Sequence, residues 1–298
     1  MKKLKSVEVL AAFLLLLVGL IWGATFPIIK IAIESTGALW FNAYRFLVAG
    51  LLAAAIVLLN RRRDKGTHRA GPYALLLGSL LAFGYTVQTV GLAYTESGKA
   101  GFITGLFVVF VPLFAAVWFR RRPSPAVLVS VLLGIIGLGM LSLGKNLLPE
   151  KGDMLILMCA VAYAIHIVIV DQIANRFNLV ELSMSQIVIA GFEMFLLAYL
   201  LQPELPRPSG YAIFAILLTS IFATIFAFFI QIFAQRHIGP TRTALILLSE
   251  PVFAAIFGYL LLNEVFTTRK LLGAVLLFAA MVIAELFGQE QPSASLNE

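Results

Sequence analysis

Apolar residues run through this chain in long blocks, and polar residues gather in the short gaps between them. Ten blocks stand out, at 9–31, 38–60, 72–94, 100–119, 125–144, 153–172, 182–201, 210–234, 242–262 and 268–287. A hydrocarbon core about 30 Å thick takes about 20 apolar residues in a helix, so each block predicts one transmembrane span. Some blocks carry no Asp, Glu, Lys or Arg at all, as in Ala100–Phe119 and Ser209–Gln235. The weakest is the last, where only Leu271–Ala284 lacks charge. Alternation of apolar and polar residues over stretches of about 10 is missing, which argues against a transmembrane β-barrel. The gaps are short and hold turn formers, such as Ser35-Thr36-Gly37, Pro123-Ser124-Pro125, Pro203, Pro206 and Pro208. They leave no room for a soluble domain. The first run, Val9 to Ile29, is too long for the apolar stretch of a cleavable leader. Residues 289–298 read as a polar tail.

Composition sharpens this to an integral membrane protein. Of 298 residues, 61% are hydrophobic and 12% charged, against about 45–50% and about 25% in soluble domains. That excludes a soluble enzyme or a nucleic-acid binder. The net charge of +7 matters through its placement. With the N-terminus cytoplasmic, 14 Lys and Arg fall on the inner side and 7 on the outer, with Arg45 inside a span. Basic residues favour the cytoplasmic side, so both termini are expected inside. A single cysteine, Cys159, excludes an internal disulfide and a Cys-rich metal site.

The two halves resemble each other. At an offset of 141, Trp22 falls on Tyr163, Thr25 on His166, Ala49-Gly50 on Ala190-Gly191 and Gly98 on Gly239. From the fourth span the offset is 139, where Val111-Pro112-Leu113-Phe114-Ala115-Ala116 meets Glu250-Pro251-Val252-Phe253-Ala254-Ala255. Each copy, 1–146 and 147–288, holds five spans. An odd number turns the second copy upside down, so the expected fold is all-α, ten transmembrane helices in two inverted five-helix repeats. Secondary transporters are often built this way, with the solute site near the midplane where the copies meet.

Over residues 8–287 the chain resembles the drug/metabolite transporter superfamily, specifically EamA-type permeases. The resemblance rests on Tyr85-x-x-Gln88-x-x-Gly91-Leu92, on Ser97-x-Lys99-Ala100-x-Phe102-Ile103-Thr104-Gly105-Leu106, and on Val111-Pro112-Leu113. In the second half it rests on Ser249-Glu250-Pro251-Val252-Phe253, Asn263-Glu264 and Gly273, with Trp22-Gly23 and Arg45 also fitting. It implies a central cavity formed by spans 1–4 and 6–9, peripheral spans 5 and 10, and metabolite export by alternating access.

Polar groups at membrane depth are costly and usually face the protein interior or a wet cavity, which makes them the candidate site. Glu250 stands beside Pro251, whose missing N–H frees a backbone carbonyl, and is read as a substrate or proton carboxylate. His166 can titrate near neutral pH and is the second proton-coupling candidate. Gln88 offers uncharged donors and acceptors. Trp22, Tyr85, Phe102, Phe107 and Tyr163 suit an apolar lining, and Thr25 is the repeat partner of His166. The substrate-binding set is therefore Trp22, Thr25, Tyr85, Gln88, Phe102, Tyr163, His166 and Glu250. Arg45 and Glu193 are read as structural polar groups that could pair with each other, and Lys99 as an interfacial anchor.

No P-loop, His-Glu-x-x-His, cysteine pair or Gly-x-Ser-x-Gly is present, so no catalytic residue, metal or cofactor is expected. The expected function is an inner-membrane exporter of a small amphipathic or zwitterionic metabolite such as an amino acid. Alternatives are a membrane receptor or enzyme that binds a lipid or ligand in the cavity, and a channel. The expected partners are the small-molecule solute and membrane lipid, not nucleic acid, and a homodimer stays open.

Overall fold

In the computed structural model, residues 2–63, 70–119, 123–142, 151–263, 265 and 267–287 are described, and among them helices and turns account for the whole architecture. The helices are α1 (Lys2–Thr36), α2 (Ala38–Arg63), α3 (Gly71–Leu92), α4 (Ser97–Gly105), α5 (Phe107–Phe119), α6 (Pro125–Ser142), α7 (Lys151–Ile173), α8 (Leu179–Leu201), α9 (Gly210–Ser220), α10 (Ala227–Ile238), α11 (Pro240–Leu247), α12 (Ser249–Leu262) and α13 (Thr268–Phe287). A π-helical stretch, Ile221–Phe226, joins α9 to α10. The expected tail at 289–298 and the expected boundary at 146/147 lie outside the described residues.

Local chemistry starts and stops the helices where the sequence punctuates. Gly37 takes φ 69° between α1 and α2, and Gly239 takes φ 77° just before Pro240 opens α11. Both angles favour glycine because a Cβ would clash there. Asn178 caps α8 through its side chain, which accepts from Val180 N and Glu181 N; Ser209 caps α9 by accepting from Ala212 N.

Three of the ten apolar blocks are not single α-helices. The fourth breaks at Leu106 and the ninth at Leu248, with nearly the same backbone angles, φ −61° and ψ −11° against φ −60° and ψ −9°. At both joints the hydrogen bonds tighten to i→i−3, as in Leu106 N to Ile103 O and Leu248 N to Leu245 O. Pro112 and Pro251 follow these joints, and each removes one N–H from the ladder. The eighth block carries the π stretch. By contrast α1 passes through Pro27 as one helix.

Among the described residues, eight segments are long and apolar enough to cross a bilayer: Ser6–Thr36, Ala38–Asn60, Gly71–Leu92, Ser97–Trp118, Lys151–Ile173, Leu179–Leu201, Gly210–Ile238 and Pro240–Leu262. Of the other two blocks, Pro125–Met140 is a shorter apolar helix, and α13 packs along α6. The most extensive of the other contacts interleave the halves: α2 lies on α8, α3 on α7 and α8, and α1 on α12 and α10. Large apolar side chains such as Phe13, Phe192 and Leu200 face outward, more than 60% exposed. In water such a surface would drive association, whereas lipid satisfies it.

One close approach sets the centre. A Cβ on Gly23 would lie 2.5 Å from Phe253 Cβ and 2.6 Å from Glu250 O. The absence of that carbon lets α1 run against the α12 backbone at Glu250, as small residues do in membrane helix packing.

Candidate functional site

Two small hollows lie between the halves. The first is lined by Trp22, Thr25, Phe26 and Ile29 of α1, Arg45 of α2, and Tyr85, Gln88, Thr89 and Leu92 of α3. Tyr163 of α7 and Glu250 of α12 complete it. The second shares Trp22, Tyr85, Tyr163 and Glu250 with the first and adds residues such as His166, Phe107, Phe228 and Gln231. Each has a free volume of about 20 Å³, room for one or two waters and far less than a metabolite needs. The expected wet cavity is therefore narrow here. Its walls must part before a solute fits.

The lining residues are held by three groups of hydrogen bonds. Trp22 Nε1 donates to Ala223 O at 2.9 Å, and Thr25 Oγ1 to Trp22 O at 2.7 Å. Gln88 Nε2 donates to Thr104 Oγ1 at 3.1 Å, and Tyr163 OH to Gln88 Oε1 at 3.4 Å. Asn42 Nδ2 donates to Tyr85 O at 2.9 Å and its Oδ1 accepts from Thr89 Oγ1 at 3.2 Å. The rings of Trp22, Phe228, Tyr85 and Tyr163 stack with tilted or edge contacts, with centroids 5.4 to 6.1 Å apart. Rings packed at these angles form a rigid wall at little entropic cost.

Glu250 is 4% exposed. Its carboxyl makes no hydrogen bond or ion pair among the described residues, so it faces the hollows as an available acid. His166, also buried, has Nε2 2.7 Å from Gln186 Oε1. On the same side Gln231 Nε2 donates to Gln235 Oε1 at 3.2 Å, and Gln235 Nε2 to Ile167 O at 2.8 Å. Gln186 Nε2 and Gln231 Oε1 are left buried without partners.

Of the eight residues singled out in the sequence for binding, Trp22, Thr25, Tyr85, Gln88, Tyr163 and Glu250 meet at the first hollow and His166 joins at the second. Phe102 does not. It is half-buried and packs against the cores on either side of α4. Phe107 lines the second hollow instead. Arg45 and Glu193 do not pair, although α2 and α8 pack closely. Glu193 accepts from Ser79 Oγ at 2.7 Å, and Arg45 points into the first hollow. Lys99 is no free interfacial anchor: its Nζ lies 2.7 Å from Asp153 Oδ2. Asn42 was not singled out in the sequence, and Thr104 only as part of a motif, although an amide inside an apolar block was a signal of the kind used for Gln88.

The sequence profile of the EamA-like transporter family matches residues 9–143 and again residues 150–285. An uncharacterized transporter of Archaeoglobus fulgidus is 32% identical over 277 residues, covering 91% of this chain and 84% of its own length. The uncharacterized inner membrane transporter YedA of Escherichia coli K12 is 27% identical, covering 89% and 87%. One solved crystal structure superposes with a TM-score of 0.73 over 92% of this chain and 97% of that one, at 17% identity, and so shares its fold.

Proposed function

Because the chain belongs to the EamA-like transporter family, and is thereby a multi-pass membrane transporter with two repeats, we propose that it exports a small organic metabolite across the inner membrane by alternating access. Repeats 1–146 and 147–288 each supply five spans in opposite orientation, with both termini cytoplasmic and the α6–α13 pair at the periphery. The solute sits against Trp22, Thr25, Tyr85, Gln88, Tyr163 and Glu250. Glu250 and His166 are the groups that carry a proton if transport is proton-coupled.

The observation that carries this reading is the position of the two hollows. Both halves wall them jointly, so a rocking of one half against the other changes their access, as inverted-repeat transporters require. A receptor or enzyme would use the same hollows without moving the solute across the membrane, which the flux test separates. The test is counterflow in proteoliposomes with a panel of labelled metabolites, amino acids first. A carrier accumulates label against its gradient when loaded with unlabelled solute, whereas a channel or a receptor does not. Glu250→Gln is expected to abolish pH-driven uptake while sparing exchange, and His166→Ala to do so only if the imidazole lies on the proton route. Full pH response in both variants removes the two residues as proton carriers. Cysteines placed within 61–69 and 236–242 are expected to label from one face, and labelling from opposite faces removes the inverted arrangement.

A further inference from the structure

Arg45 stands early in α2, 1% exposed, and no carboxylate lies within 4.0 Å of it among the described residues. A lone cation at membrane depth is costly and marks a place where an anion belongs. The guanidinium is nevertheless held in one pose. Its Nε donates to Thr224 Oγ1 at 3.0 Å and its Nη2 to Ala223 O at 3.2 Å. Both acceptors come from the π stretch, which disturbs the regular ladder and turns Ala223 O toward two donors, Arg45 and Trp22. Thr224 Oγ1 itself donates back to Thr219 O at 2.9 Å. Such π turns are frequent at functional sites because they release backbone groups for other work. The Tyr85 ring, with its centroid 4.8 Å from Cζ, and the Phe46 ring at 5.2 Å cover the guanidinium. The Tyr85 side chain is also a hydrogen-bond partner of the guanidinium, and the Arg45 side chain lines the first hollow.

The geometry points to Arg45 as a preformed carboxylate subsite: the solute is an organic acid or zwitterion whose carboxylate docks on the guanidinium. This assignment rests on the reading of the first hollow as the solute site and names the class of solute it takes. A pre-oriented guanidinium matches a planar carboxylate. A phosphate, with nearly two charges, would call for more than the one cation the hollow offers. The apolar rings beside it receive the hydrocarbon body, and Glu250 in the same lining is placed for an amine where the solute has one.

The assignment is tested by binding to purified protein, without transport. The probes are matched pairs of acid and primary amide: linear, branched and aryl monocarboxylates, dicarboxylates and α-amino acids. Binding is read by ligand-dependent thermal shift and by displacement of whichever labelled member binds tightest. At least one acid is expected to bind at least 10-fold tighter than its amide. Arg45→Gln is expected to weaken that acid about 30-fold or more, the cost of removing one partner of a buried charge pair. Arg45→Lys is expected to recover part of the loss, and Thr224→Val to weaken the acid while leaving weak amide binding unchanged. Should Arg45→Gln fail to fold, the acid–amide comparison in the unaltered protein and Thr224→Val still decide. Equal binding of acid and amide, or no acid bound anywhere in the panel, overturns the assignment. Acid binding without counterflow keeps the subsite and removes the transport reading; counterflow confined to carboxyl-free solutes does the reverse.

Discussion

Two ion pairs join the halves of the bundle, one near each end, and they differ in length and burial. At one end Lys99, at the start of α4, meets Asp153, at the start of α7, at 2.7 Å, with side chains only 19% and 8% exposed. Lys30 Nζ donates to Thr95 O at 2.6 Å beside it, and Thr95 Oγ1 lies 3.5 Å from Asp153 Oδ1. At the other end Arg242, at the start of α11, lies 3.7 Å from Glu8 near the start of α1, and the Glu8 side chain is 39% exposed. In the proposed repeat, span 4 corresponds to span 9 and span 6 to span 1, so the two bridges join corresponding pairs of spans. The pairing of spans is repeated and the strength is not. A short, buried pair resists separation because removing one partner strands a charge, whereas a long, half-exposed pair is screened by water. The Glu8 end is therefore the one expected to open first.

Breaking the tight end tests the comparison hardest. Asp153→Asn strands the Lys99 ammonium and is expected to cost about 3 kcal/mol, read as a fall of several degrees in the melting temperature of the purified protein. The exchanged pair Lys99→Asp with Asp153→Lys is expected to restore more than half of that loss, and a double-mutant cycle would assign the restored part to the pair itself. At the loose end Glu8→Gln is expected to cost under about 1 kcal/mol. A Glu8→Gln loss as large as that of Asp153→Asn would erase the difference between the ends. A sharper measurement follows access: a cysteine at Thr25, in the first hollow, should be modified faster in Glu8→Gln than in the unaltered protein. The smallest effect is that of salt. Raising NaCl to about 1 M shortens the screening length to about 3 Å, which should reproduce most of the Glu8→Gln change and leave Asp153→Asn additive to it.

The polar shortlist illustrates how far the sequence reaches. Glu250, Gln88 and Tyr85 could be named in advance because a polar group in an apolar block needs a reason to be there, and the structure draws these three to one hollow. Phe102 could not be separated from Phe107 in the same way. Both are aromatics in one apolar run, and only the packing of the neighbouring helices decides which of them faces the hollow. Arg45 was legible as an expensive residue but its neighbours were not. Its acceptors lie 178 and 179 residues away on a π stretch that no hydropathy pattern marks. Lys99 reads as an anchor only until Asp153, 54 positions on, is brought against it.

The linear chain by itself decided the class of the molecule, because charge-poor runs about 20 residues long lower their free energy only in lipid or in a core of similar polarity. It also decided the duplication, the candidate spans and the residues worth watching. The folded arrangement alone decided which faces turn inward, where three of the spans break, which charges find partners and how small the central space is. The physical reason lies in the solvent. Lipid and protein interior are equally apolar, so a membrane helix carries no strong polar face to announce its orientation. Packing of small residues and the few hydrogen bonds between helices must choose it.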